Sequence, residues 1–200
     1  GYDTTCVERE QTAWQAHPES LSLADRWVLS RHNRLIAEAT RLVEQFQFGE
    51  AGRQLYEFLW GEYCDWYIEI AKTQLNSGDE AVASRTRAIL VYILDRTLRL
   101  LHPFMPFVTE EIWQHLPHEG EALIIAAWPT AAGLDEEAEA EMGLIMEMVR
   151  AIRNARAEYE VEPSRAVAAI VLAGDKTELV RSHADILSRL ARIDPAQLSI

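Results

Sequence analysis

Lysine is almost missing from this chain: Lys72 and Lys176 are the only two among 19 basic residues, and the remainder are arginines. Basic charge as a whole is also short. Nineteen cations face 32 carboxylates, giving a net charge of −13, which excludes a surface built throughout to grip nucleic acid. Cysteine is confined to Cys6 and Cys64, too far apart for a metal-ligand spacing, and a reduced, cytosolic setting is the simplest expectation. No apolar run approaches the roughly 18 residues of a membrane-spanning helix. The opening Gly1–Cys6 lacks the basic start and apolar stretch of a signal peptide. No glycine-rich phosphate loop follows a strand, and neither a serine elbow nor a paired zinc-ligand helix is present. Nothing identifies an enzyme active site.

What is present is helical periodicity. Hydrophobic residues make up 48% of the 200, enough for a sizeable core. Residues 1–21 show no period and read as an irregular lead-in. Ser22 followed by Asp25 marks a helix start, with the acid favouring the helix dipole. Val28, Leu35, Ala39, Leu42 and Phe46 then fall within roughly 60° on a helical wheel. Gly49 and Gly52 interrupt the pattern before a second helix, whose inner side carries Leu55, Phe58, Leu59, Glu62, Trp66 and Ile70. The cluster Asn76–Asp79 ends it. A third helix over Glu80–Leu101 is apolar on most sides and belongs in the middle of a bundle. Pro103 and Pro106 stop it, and a short helix starts at Thr109. Leu123–Pro129 reads as extended. The fold class is therefore mainly α, an antiparallel helical bundle over residues 22–133.

After Ala131-Ala132-Gly133 the character changes. A long helix begins in the acidic stretch Asp135–Glu141 and runs to about Glu160. Ala166–Ala173 suits a buried strand, Leu179–Ile193 a helix, and Gln197–Ile200 a second strand. Residues 134–200 thus form a small α/β unit.

Candidate chemistry is sparse. His115 and His118 are three residues apart, but Pro117 breaks the helix that would align them on a metal, so no metal site is expected. Arginines offer more. Arg31, Arg34 and Arg41 flank the apolar stripe of the first helix, with Glu38 among them. Arg85, Arg96 and Arg99 share one side of the third helix with Tyr92 between them, and Arg150, Arg153 and Arg156 cluster on a later one. Such rows neutralise phosphates, and a neighbouring aromatic stacks on an unpaired base. The structural alternative is that they lie along the apolar stripe and pair with acids. In Phe46-Gln47-Phe48 one ring is free to enter the core while the other points away.

Five blocks carry a family resemblance. Leu55–Glu69, containing Cys64-Asp65-Trp66-Tyr67, closely resembles the second helix of the anticodon-binding bundle in the valyl-tRNA synthetase family. Leu23–Arg31 looks like the entry to that bundle. Leu100–Trp113 resembles a block common to the class I synthetases for valine, leucine and isoleucine, and Ala122–Pro129 resembles the bundle's exit. Val149–Arg156 with Pro163 resembles the helix leading toward the C-terminal arm. The resemblance covers about residues 22–200 and is most specific at Cys64–Tyr67.

The resemblance implies a non-catalytic fragment of an ATP-dependent valine–tRNA ligase, with ATP and magnesium bound by the parent's catalytic domain and no cofactor in this part. It implies a cytoplasmic, monomeric protein, with no membrane association, whose partner is the anticodon stem-loop of valine tRNA. Candidate contacts are Arg31, Arg34 and Arg41 on the RNA backbone, Gln47, Phe48 and Arg53 at the joint after the first helix, and Arg85, Arg96 and Arg99 on the third helix. The alternatives are the same module from an isoleucyl or leucyl enzyme, or an acidic helical protein-interaction module descended from it.

Overall fold

The computed structural model describes Trp14 and residues 17–200. Much of the expected lead-in over 1–21, and Cys6 with it, lies outside the described residues; within it Pro18–Ser20 forms a single 3-10 turn. The chain divides into two compact units, one running to Glu136 and the other covering Glu137–Ile200.

The first unit is the helical bundle. Helix α1 (Leu23–Glu44) starts with a complete capping box: Ser22 accepts from the Asp25 amide, and the Asp25 carboxylate accepts from the Ser22 amide. Its stripe Trp27, Val28, Leu35, Ile36, Ala39 and Leu42 is buried. Helix α2 (Phe48–Glu57) continues into a π-helical stretch, Phe58–Ile68, and then into α3 (Glu69–Leu75). Helix α4 (Glu80–Leu101) is capped by Asp79, and α5 covers Pro106–Trp113. Helix α1 packs against α2, the π stretch and α4. No described helix is long and apolar enough to cross a membrane.

Several boundaries differ from the expectations, each for a physical reason. Gly49 and Gly52 lie inside α2 and do not interrupt it. The π stretch changes which residues face inward. Phe58 is buried, and the next buried position is Tyr63, five residues on, followed by Trp66 and Tyr67. A strict 3.6-residue period places Glu62 on the inner side, whereas the wider π turn moves Tyr63 there and leaves Glu62 at the margin. Pro106 starts α5 instead of ending the previous helix, because a first-turn proline gives up no needed donor. Phe46 is not part of the α1 stripe. The helix ends at Glu44, and Phe46 takes a left-handed backbone (φ 59°) that turns its ring out to 81% exposure. Leu123–Ile125 is a 3-10 turn, not an extended segment.

Polar groups tie the bundle together where α1, the π stretch, α3 and α4 meet. Tyr67 Oη donates to Asp25 Oδ1 at 2.8 Å, Gln74 Nε2 donates to Ser22 Oγ at 2.8 Å, and Thr86 Oγ donates to Gln74 Oε1 at 3.2 Å. Burial first, and the Asp25 charge next, hold the Tyr67 hydroxyl well above its usual range. Asp25 thus closes a cap and satisfies a buried phenol at once. Asp25→Ala is expected to lower the unfolding free energy by roughly 2–4 kcal/mol, a lost cap plus a stranded buried hydroxyl. A urea titration with the transition slope held in common measures it, and Tyr67→Phe should show only part of the loss.

The second unit begins on α6 (Glu136–Glu158), whose stripe Met142, Ile145, Met146 and Val149 is buried. Strands β1 (Val167–Ile170) and β2 (Ile193–Ser199) pair in parallel, and α7 (Thr177–Ser182) and α8 (Ala184–Ala191) lie between them in sequence. The single helix expected over 179–193 is two, broken at His183. The expected buried strand is covered on one face only: Ile170 is 79% and Leu172 94% exposed. A continuous apolar run reports composition but not how many layers cover it.

Candidate nucleic-acid interface

Arg31 and Arg34 of α1 and Arg53 of α2 meet at one place, which Arg41 does not line. The α1–α2 turn is short: Gln47 donates its amide to the Leu42 carbonyl at 2.8 Å and serves as the N-cap residue of α2. This folds α2 and the π stretch back along α1. A cleft of about 400 Å³ results, lined by Arg31, Arg34, Arg53, Glu38, Glu57 and Glu62, with Leu35, Gln54 and Phe58 behind them. Three guanidinium groups and three carboxylates line it, so the cleft is formally balanced. Against a chain of net charge −13 this is a local relief of negative potential, although not the positive concavity that a row of cations by itself suggests.

Arg31 and Arg53 there are held by carboxylates. Arg31 Nε and Nη2 donate to the two oxygens of Glu62 at 2.8 and 2.6 Å, a bidentate fork joining α1 to the π stretch. Arg34 lines the same cleft. Arg41 forks onto Glu38, with Nε at 2.8 Å, and gives Nη1 to Gln45 at 2.6 Å. The Arg41–Glu38 fork is the main cause of the lowered pKa of Glu38. Arg53 is held between Glu50 and Glu57 on its own helix. Glu50 is drawn down to about 2, first by Arg53 and then by Gln54.

The joint presents aromatic surface. Phe48 is half-exposed, and its ring meets that of Phe46 edge-on at 6.1 Å. Neither phenylalanine enters the core, contrary to the expected split between them. The Gln47 side chain donates to Gln45 Oε1 over a long 3.4 Å. Tyr56 and Trp60 form a second exposed pair, ring centres 6.3 Å apart, which the helical pattern did not single out.

The α4 arginines are engaged elsewhere. Arg99 forks onto Asp95 at 3.0 and 3.1 Å and donates to the Ala127 carbonyl. Arg96 lies 4.3 Å over the Tyr92 ring and donates to the Thr130 carbonyl. Both strap the 127–130 segment onto α4. Arg85 buries its Nε with no hydrogen-bond partner among the described residues. In the second unit, Arg153 and Arg156 donate to the Leu190 and Arg192 carbonyls, so they satisfy the end of α8. His118 packs against Trp113 with ring centres 3.8 Å apart and the planes tilted by 30°, and Cys64 is a free thiol on the π stretch.

The family model for the anticodon-binding domain of tRNA ligase matches residues 25–171, from the first turn of α1 to just past β1. The chain belongs to this family of anticodon-binding domains. A valine–tRNA ligase of Bacillus cereus is 49% identical over 183 residues, which is 90% of this chain and 20% of that protein. Valine–tRNA ligases of Geobacillus stearothermophilus and Bacillus subtilis are 50% and 51% identical over 157 and 148 residues. The chain spans about a fifth of the length of the curated relatives it matches. The α1–α2 cleft holds the candidate RNA contacts, while Arg96 and Arg99 tie the 127–130 segment to α4.

Proposed function

We propose that this chain is the anticodon-recognising part of a valine–tRNA ligase and receives the anticodon stem-loop of valine tRNA at the α1–α2 cleft and the adjoining Phe46–Phe48 joint. The observation that carries the reading is the family match over residues 25–171, together with valine–tRNA ligases at about half identity. The cleft supports it chemically: guanidinium forks suit phosphate oxygens, and exposed rings beside them suit unstacked bases. Arg31, Arg34, Arg41 and Arg53 take the backbone, while Phe48 and Gln47 meet bases. The ATP- and magnesium-dependent joining of valine to tRNA belongs to the rest of the longer enzyme, which acts in the cytoplasm as a monomer. This part supplies positioning and identity checking and needs no cofactor.

Arg34→Glu combined with Arg41→Glu is expected to weaken binding of the valine anticodon hairpin by roughly tenfold at low salt, and to reduce the salt slope by about one for each lost phosphate contact. Fluorescence anisotropy over a salt series measures both. Unchanged affinity at low salt would remove the cleft from the contact surface. Competition with an isoleucine hairpin separates the valine assignment from the isoleucine one.

A further inference from the structure

We propose that Glu57 occupies the place of an RNA phosphate on Arg53 in the free protein and gives way when the anticodon stem-loop arrives. The proposal rests on the RNA-binding reading above and adds a selectivity element to it. The Arg53 guanidinium has two edges, and both hold carboxylates. Nε and Nη2 grip Glu50, one turn back, and Nη1 grips Glu57, one turn on. The two acids are not equivalent. Glu50 also accepts from Gln54 Nε2 at 2.9 Å, lies outside the cleft lining, and has a side chain 38% exposed. Glu57 has Arg53 as its hydrogen-bonding partner, lines the cleft, and has a side chain 59% exposed.

Glu50 therefore fixes the guanidinium plane, and Glu57 covers the edge that faces a ligand. Glu57 holds Nη1 through one oxygen only, and a phosphate oxygen accepts from that N–H equally well, so one substitutes for the other without moving the helix. The exchange breaks only an exposed ion pair, a weak interaction, and with Arg31 and Arg34 set against Glu38 and Glu62 in the same lining, the departure of Glu57 turns the balanced cleft net positive. A lone carboxylate, such as one on an acidic protein, gains nothing over Glu57. A phosphate chain that engages several guanidinium groups at once does, and Glu57 thereby selects for it.

Glu57→Gln is expected to tighten binding of both an anticodon stem-loop hairpin and inorganic polyphosphate by about two- to fivefold at low salt, the range of an exposed pair removed. Glu80→Gln, which removes the same charge from a pair with Arg87 at the start of α4, should show a smaller gain, and Glu50→Gln none, because it loosens Arg53. In an Arg53→Ala background the Glu57→Gln gain should disappear. If Glu57→Gln binds both probes no better than the parent chain, or keeps its gain without Arg53, the exchange is overturned. Hairpin binding by the parent chain with no gain in Glu57→Gln sinks the exchange and leaves the RNA reading standing. A gain on polyphosphate with no hairpin binding by any variant overturns the RNA reading and the exchange with RNA together, leaving only an anion site at Arg53. Binding of neither probe by any variant overturns both.

Discussion

Trp113→Ala is expected to lower the unfolding free energy by about 3–5 kcal/mol, the largest single loss anticipated in the bundle. Trp113 is fully buried against Leu98 and Leu123, with Leu94, Leu116 and Ala126 packed around that cluster. Truncation leaves a void that α4, α5 and the 3-10 turn cannot all close on, since each is held by its own hydrogen bonds. The indole also donates to Asp95 Oδ1 at 2.6 Å, and the same carboxylate holds the Arg99 fork that reaches the Ala127 carbonyl. His118 loses the ring it packs against. Chemical denaturation gives the magnitude, and Trp113→Phe separates its causes. Phenylalanine keeps most of the volume and removes the donor, so it should cost about 1–2 kcal/mol. Equal losses for the two variants would show that the hydrogen bond, not the packing, dominates.

The second large effect is a loss of stability in mild acid. His32 is fully buried on α1, its ring 5.5 Å from Phe58 and 6.4 Å from Tyr92. Its Nε2 shares a hydrogen bond with Thr97 Oγ at 3.2 Å, and Nδ1 has no partner among the described residues. Burial, with the Arg96 charge adding to it, pushes its pKa from the ordinary 6.5 down to about 3. A folded chain that refuses a proton the unfolded chain accepts loses stability as pH falls. The loss begins near 6.5, where unfolded His32 takes up its proton, and levels off near 3, where the folded form does too. Each pH unit inside that window costs about 1.4 kcal/mol. Carboxylates lowered by their partners, such as Glu38 and Glu50, act in the same direction but only below their usual 4.5. The interval between about 6.5 and 4.5 therefore isolates the imidazole. Unfolding titrations at several pH values should show a slope near one proton there. His32→Gln, which retains a partner for Thr97, should flatten it. A wild-type slope of zero over that interval would mean that the ring finds water or an acceptor when protonated.

Much of the bundle is legible in the sequence because its determinants are local. The Ser22–Asp25 cap, the turn at Asn76–Asp79 and the span Glu80–Leu101 are set by residues within one or two turns of where they act. The family is legible too, since Leu55–Glu69 and Leu100–Trp113 are long enough to be specific. Even the Arg53 clasp lies open at spacings of three and four on one helix. Charge spacing reveals the pairs of Arg53 with Glu50 and Glu57 but not the cavity that Arg53 and Glu57 line.

The long helices α1 and α4, the Ser22–Asp25 cap and the family were thus determined by the sequence itself, because nearest neighbours along the chain enforce them. Only the tertiary structure decided which charges share a cavity and which side chains turn inward. Arg31 meets Glu62 across 31 residues, Tyr67 meets Asp25 across 42, and a π turn reverses Glu62 and Tyr63. Those outcomes depend on how separate helices pack, and the packing optimum overrides the ideal period wherever burying an aromatic ring outweighs keeping a regular turn.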